Sequence, residues 1–270
     1  MPTAHDLEGY YQHIDDVFSR AAVIYDWKIQ ANFVNRSIRS VEIRTLLKYS
    51  RPGMSVLELG HGTGEEALKY IKETGNRVTG IDVARGMAEF ARDKIARNGL
   101  GHLFQSNVIP ASRMGELGET FDIVYSFNGL INTEPDMEKL IDGLLKITHR
   151  GSFFIVSFRN TSCFGETIIS MSGRGRRAVR ARKANEVNVE VVGEKVASRY
   201  YSSFEIRKIL GKNFRIRETL GLAVLFPPYL ADKLSQRHLS SLISFADRLM
   251  GRLPVLNCLG DEVLIVAERI

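Results

Sequence analysis

Cysteine is scarce in this chain: Cys163 and Cys258 are the only two among 270 residues, and they lie far apart. That excludes a disulfide scaffold and a Cys-x-x-Cys zinc site, and no metal centre is expected; it fits a reducing, cytoplasmic compartment. No stretch approaches the ~18 uninterrupted apolar residues of a membrane-spanning helix. The first residues, MPTAHDLEGYYQHIDDVF, lack an apolar h-region and carry early acids, so no signal peptide is expected. No repeat recurs at a period of about 20–50 residues.

An overall charge excess is missing too. The net charge is +6, from 37 Lys and Arg against 31 Asp and Glu, and it is local. Residues 171–184 hold Arg174, Arg176, Arg177, Arg180, Arg182 and Lys183 without an acid, and the cations elsewhere equal the acids at 31 each. This argues against a nucleic-acid binder over the whole surface. The segment reads as a solvated helix face or loop, or as a contact for an anionic substrate or headgroup. No aromatic residue is interleaved in it, which disfavours RNA.

With 44% hydrophobic and 25% charged residues, the chain has enough apolar material for one large α/β domain. Residues 1–50 have helical spacing (Val17, Ala21, Ile24; Ile38, Val41, Leu46) and end at Arg51-Pro52-Gly53. Strands and helices then alternate. Strands are expected at 55–59, 77–81, 103–106, 121–127 and 152–158, with helices at 65–74, 84–98 and 137–148. A hairpin follows over 187–201, turning at Gly193-Glu194, then a helix at 204–210 and two last strands at 214–220 and 262–268. Residues 229–250 have the spacing of one amphipathic helix, suited to a cap core, a dimer face or a hydrophobic substrate tunnel. The expectation is a doubly wound, mostly parallel seven-stranded α/β sheet. Its parts are an N-terminal helical segment (1–50), a core (51–159), and a region (160–270) with the last strands and cap insertions at about 160–200 and 226–258.

The informative stretch is Val56-Leu57-Glu58-Leu59-Gly60-His61-Gly62-Thr63-Gly64. A strand ending in an acid runs into Gly-x-Gly-x-Gly and then a helix. Glycines belong where the backbone turns sharply and a ligand touches it. A helix N-terminus adds unpaired N–H groups. The dinucleotide fingerprint Gly-x-Gly-x-x-Gly is absent. Glu65 and Glu66 in the first helical turn would also repel a pyrophosphate, which disfavours a nicotinamide enzyme. Asp82 lies 22 residues after Gly60, at the end of the second strand, where an acid accepts ribose hydroxyls. Asn107 lies 25 residues further, after the third strand, and its amide suits an adenine edge. Phe127-Asn128-Gly129 ends the fourth strand. His61 reads as a spacer pointing away from the ligand rather than a catalyst.

Together LELGHGTG, GIDVARGM, SNV, FDIVYSFNGL and SFFIVSF resemble the class I S-adenosylmethionine-dependent methyltransferases, with a look of the ubiquinone/menaquinone C-methyltransferase group. The resemblance spans roughly residues 25–158. It implies a Rossmann-like core with S-adenosylmethionine as cofactor and S-adenosylhomocysteine as product. It places Gly60, Gly62 and Gly64 along the methionine moiety, with Glu58 holding the loop or, through water, the amino group. Asp82 would bind both ribose hydroxyls, Val83 and Met87 would pack on adenine, and Asn107 would stand where the family usually has Asp. Phe127 and Asn128 would lie near the sulfonium, and Tyr25-Asp26 matches a segment that covers the cofactor. Arg159, Tyr200 and Tyr201 are the candidate substrate contacts.

The implied reaction is in-line methyl transfer to a small-molecule or lipid-like acceptor. Positioning supplies much of such a rate, so no catalytic dyad is required and none is visible. The Asn/Asp-Pro-Pro-aromatic run of exocyclic-amine methylation is absent after the fourth strand. RNA methylation through residues 174–183 and a non-catalytic cofactor-binding module are the alternatives. Peripheral membrane contact, and oligomerisation through helix 229–250, remain compatible with the sequence.

Overall fold

The computed structural model describes residues 6–172, 176–184, 187–231 and 237–270. Two helices open the chain, α1 (Leu7–Ala31) and α2 (Phe33–Tyr49). They separate at Asn32, whose side chain accepts the N–H groups of Val34 and Asn35 and so caps α2. There follow β1 (Val56–Leu59), α3 (Glu65–Thr74), β2 (Val78–Asp82), α4 (Arg85–Arg97), β3 (Phe104–Val108), β4 (Phe121–Ser126), a short α5 (Leu130–Thr133), α6 (Met137–Ile147) and β5 (Thr148–Arg159). The last third contains α7 (Phe164–Met171), α8 (Arg176–Arg182), the strands β6 (Val187–Val191) and β7 (Glu194–Ser198), α9 (Ser203–Leu210), β8 (Phe214–Leu222), α10 (Pro228–Ala231), α11 (Arg237–Met250) and β9 (Glu262–Arg269).

Seven strands form one sheet in the order β3-β2-β1-β4-β5-β9-β8, and β6 and β7 make a separate antiparallel hairpin. The first five strands pair in parallel, while β9 runs antiparallel to both neighbours. Successive residues of a strand face opposite sides of the sheet. Leu57, Leu59 and Val124 therefore join the core that packs on α6, while Val56, Ile123 and Tyr125 join the core under α2 and α3. Strand order reverses between β1 and β4, which opens a crevice at their carboxyl ends.

Helix α1 lies across that crevice. Its Asp15 carboxylate accepts the Arg85 N–H at 2.8 Å, and its Ser19 hydroxyl oxygen accepts the Gly86 N–H at 2.8 Å. Two first-turn donors of α4 are thus capped by another helix. The Tyr10 hydroxyl donates to the Thr133 carbonyl at 2.7 Å, and the Tyr11 hydroxyl donates to Glu134 at 2.6 Å. The far end of α1 is held by Asp26, which accepts the Thr63 hydroxyl and pairs with Lys94.

Four expectations change. Asn107 lies inside β3, paired in register with Ile81, rather than after the strand. Residues 229–250 contain two helices, α10 and α11, not one; Leu234 and Arg174 lie outside the described residues. The basic segment is not uniformly solvated. Arg182 is buried and pairs with Glu166 and Asp261, so its charge is consumed inside the protein. Tyr201, offered as a substrate contact, is buried in the core cluster with Phe158 and Ile206, and its backbone forms an isolated bridge with Asn160.

Candidate active site

A cavity of about 680 Å³ lies under α1 at the carboxyl ends of β1, β2 and β4. Its floor is the turn Gly60–Thr63, and Asp82, Val83 and Met87 form one wall. Phe127, Asn128 and Gly129 form another, while Tyr25 closes the side nearest α1. Gly60 and Gly62 both have positive φ, at +67° and +51°. A Cβ on Gly60 would meet the Leu130 side chain at 2.4 Å, whereas one on Gly62 would meet nothing within 4 Å and would project into open space. Glycine at 62 leaves bare backbone facing the cavity.

Asp82 fixes this turn. Its Oδ2 accepts the Gly62 N–H and its Oδ1 accepts the Ala84 N–H, each at 2.8 Å. The carboxylate is held in one orientation by main-chain donors, with lone pairs left for a ligand. His61 is buried beneath the turn. Its Nε2 is 2.8 Å from the Ser106 hydroxyl, and its ring meets Phe104 edge-on. Burial lowers its pKa. It supports the turn and presents no free nitrogen to the cavity.

Two charged residues also line the cavity: Arg39, which no motif marks, and Glu66, expected only as a repulsion for phosphate. Arg39 of α2 and Glu66 of α3 stand 3.2 Å apart, each 5% exposed. Arg39 Nε and Nη1 and Glu66 Oε1 are buried without a hydrogen-bond partner among the described residues. Their charges act on the Tyr25 phenol, whose pKa is raised chiefly by burial. An ion pair with unsatisfied donors and an acceptor at a cavity wall suits a ligand carrying both an amino and a carboxylate group.

The methyltransferase domain family matches residues 56–151, the segment that supplies the turn, Asp82 and the fourth strand.

Over that segment the chain is similar to methyltransferase domains.

Across 112 residues the chain is 33% identical to the ribosomal protein L11 methyltransferase of Thermotoga maritima, covering 42% of this chain and 39% of that protein. Across 160 residues it is 27% identical to the ubiquinone/menaquinone biosynthesis C-methyltransferase of Geobacter sulfurreducens, covering 58% and 62%. The chain thus spans less than two thirds of either relative. The magnesium protoporphyrin IX methyltransferase of Synechocystis, solved with bound S-adenosylhomocysteine, superposes with a TM-score of 0.56 at 18% identity, over 96% of this chain and 99% of that one. At that identity the likeness concerns the fold.

The expected site residues divide. Tyr25, Gly60, Gly62, Asp82, Val83, Met87, Phe127 and Asn128 line the one cavity. Glu58, Gly64 and Asn107 are not among its lining residues. Glu58 shares the strand face of Val56 and points under α2 and α3; burial, then the nearby Glu66 charge, raises its pKa well above the ordinary carboxyl value. Gly64 starts α3 and packs on α4, where a Cβ would meet Ala91 at 2.9 Å. Asn107 Nδ2 is buried without a partner among the described residues, one strand away.

A second cavity of about 860 Å³ adjoins the first and shares Phe18, Tyr25, Asn128, Gly129 and Thr133 with it. Its walls are apolar residues of α1 and of the β6–β7 hairpin, including Ile24, Ile29, Val189, Val191 and Val196. Arg159 at the end of β5 also lines it. Burial disfavours the Arg159 charge, but Glu262 and Tyr200 more than offset that and raise its pKa. Tyr200 itself borders a separate cleft shared with Arg159, Arg182 and Asp261. Among the described residues no cluster of His, Cys, Asp and Glu is arranged to hold a metal, and no helix is long and apolar enough to cross a membrane.

Proposed function

We propose that the chain is an S-adenosylmethionine-dependent methyltransferase acting on a small-molecule acceptor with an apolar body. The observation that carries this is the adjacency of two unlike cavities. One is floored by bare glycine backbone and walled by Asp82, Arg39 and Glu66, and it shares Asn128 and Gly129 as lining with a mostly apolar one.

The residues fit the cofactor at both ends. Asp82, oriented by two backbone N–H groups, would accept the ribose hydroxyls, and Val83 and Met87 would flank the adenine. Arg39 and Glu66 offer the unpartnered polar atoms that an amino-acid tail needs. Bound there, S-adenosylmethionine supplies a methyl group on an electrophilic sulfonium. The chain's own part is to hold acceptor and donor in line, exclude water beneath α1 and keep the methionine tail fixed. Arg159 would pair with an anionic or polar group of the acceptor while the hairpin valines pack on its body. A base is needed only where the accepting atom must lose a proton.

Calorimetry with S-adenosylhomocysteine tests the reading. The chain should bind it, and Asp82→Ala should weaken binding by about 100-fold, the value of two hydrogen bonds to a charged acceptor. Equal affinity in the variant would overturn the assignment.

A further inference from the structure

A third cavity lies apart from the methyl-transfer site and shares no lining residue with it. It is a groove of about 820 Å³ between α2, β8 and α11. Helix α2 serves both places: Arg39 faces the cofactor cavity, while Val34, Ile38 and Val41 face the groove. Leu220, Phe226 and Ile243 complete an apolar trough.

Charge at this groove is one-sided. Arg44, Arg248 and Arg252 all line it. Burial, and then the charges of Arg248 and Arg252, lower the Arg44 pKa, so Arg44 is repelled by both guanidinium groups. The two acids present do not relieve this. Glu218 is taken by Lys48 at 2.6 Å and by the Tyr49 hydroxyl at 3.0 Å. Asp247 accepts the Leu225 N–H at 2.8 Å, turned toward the 223–225 loop. Among the described residues none of the three arginines forms an ion pair. Three like charges gathered over an apolar trough are electrostatically unfavourable until an anion joins them.

We propose that this groove binds an anionic amphiphile, with one acyl chain along the apolar trough and its carboxylate or phosphate on Arg44, Arg248 and Arg252. Guanidinium groups suit both headgroups because they donate in pairs. The chain supplies the apolar contact, and the head relieves the repulsion. The proposal does not depend on methyl transfer.

The test is titration of the intact protein with monomeric dodecanoate, dodecyl phosphate, dodecyltrimethylammonium and inorganic phosphate. The two anionic amphiphiles should bind at least about 10-fold tighter than the cationic one, and inorganic phosphate alone should bind far more weakly. The R248Q/R252Q double variant should lose about 10-fold for the anionic chains, and Val41→Trp should block all chains by filling the trough. Both variants should keep wild-type affinity for S-adenosylhomocysteine, which separates this site from the cofactor cavity and shows that they fold. Co-sedimentation with phosphatidylglycerol vesicles, lost in R248Q/R252Q, would identify the source as membrane lipid; binding of monomeric chains without co-sedimentation would identify a free amphiphile. Equal affinity for anionic and cationic chains, or no change in R248Q/R252Q, would overturn the proposal.

Discussion

The cavity at the glycine turn and the groove under α11 are similar in size and built from different materials. The first is floored by main chain at three strand ends, with a carboxylate held by backbone N–H groups and an arginine paired to a buried glutamate. The second is walled by side chains from three distant segments, and its arginines have no acid partner among the described residues. The lesson lies in how each charge is kept. Buried charge at the first cavity, Arg39 against Glu66, is compensated inside the protein. Charge at the groove is left partly exposed, at the cost of mutual repulsion.

Three experiments would break or sharpen that contrast. The largest effect is expected at the compensated pair. Arg39→Met leaves Glu66 buried without its partner and should cost about 3 kcal/mol of stability in denaturant unfolding. Adding Glu66→Gln should recover much of that loss. A double variant as unstable as the single one would mean that the two side chains are not energetically coupled.

The next effect concerns acids beside the site. Glu42 and Glu262 are buried carboxyls whose pKa values are pushed from 4.5 up to about 8 and about 7, chiefly by burial. In the folded chain they therefore hold protons that the unfolded chain releases above about pH 4.5. Stability from these groups is greatest below that value and falls as pH rises toward 8. Glu42→Gln keeps an acceptor for the Ser157 hydroxyl, which donates at 2.5 Å, without the charge. The variant should match wild type near pH 5 and melt at a higher temperature near pH 8. A variant that melts lower at pH 8 would contradict this.

The smallest effect is expected at the uncompensated groove. Arg44→Leu removes one of three mutually repelling cations from a largely exposed site. At low salt it should raise the melting temperature by about a degree or less, and at 1 M salt the difference should vanish. A clear loss of stability at low salt would mean that Arg44 has a partner and that the contrast between the cavities fails.

Much of the first cavity was legible because its chemistry follows the strand period. An acid ending one strand, a glycine turn ending another, and Phe127-Asn128 ending a third appear in sequence as successive strand-end motifs, and the structure brings them around one cavity. Glu58 has the other strand parity: it shares the face of Val56, beneath α2 and α3, close to the charges of Glu66 and Asp82. Arg39 left no such mark. It is one of several cations along α2, with Arg36, Arg44 and Lys48, and only Glu66, a residue of another helix, sets it apart. The acid at 66 was read as a repulsion for phosphate, when its neighbour across the cavity matters more. Arg182 was counted with five other cations, yet packing against Glu166 and Asp261 removed it from the surface.

The sequence by itself determined the alternating sheet, the glycine turn and the carboxylate at residue 82, because local backbone geometry and strand parity write themselves into residue spacing. Only the tertiary structure decided the Arg39–Glu66 pair, the apolar cavity beneath the hairpin and the arginine-rimmed groove. Those depend on which distant helices come to lie side by side, and on which charges find a partner there, and neither is encoded at any single stretch of chain.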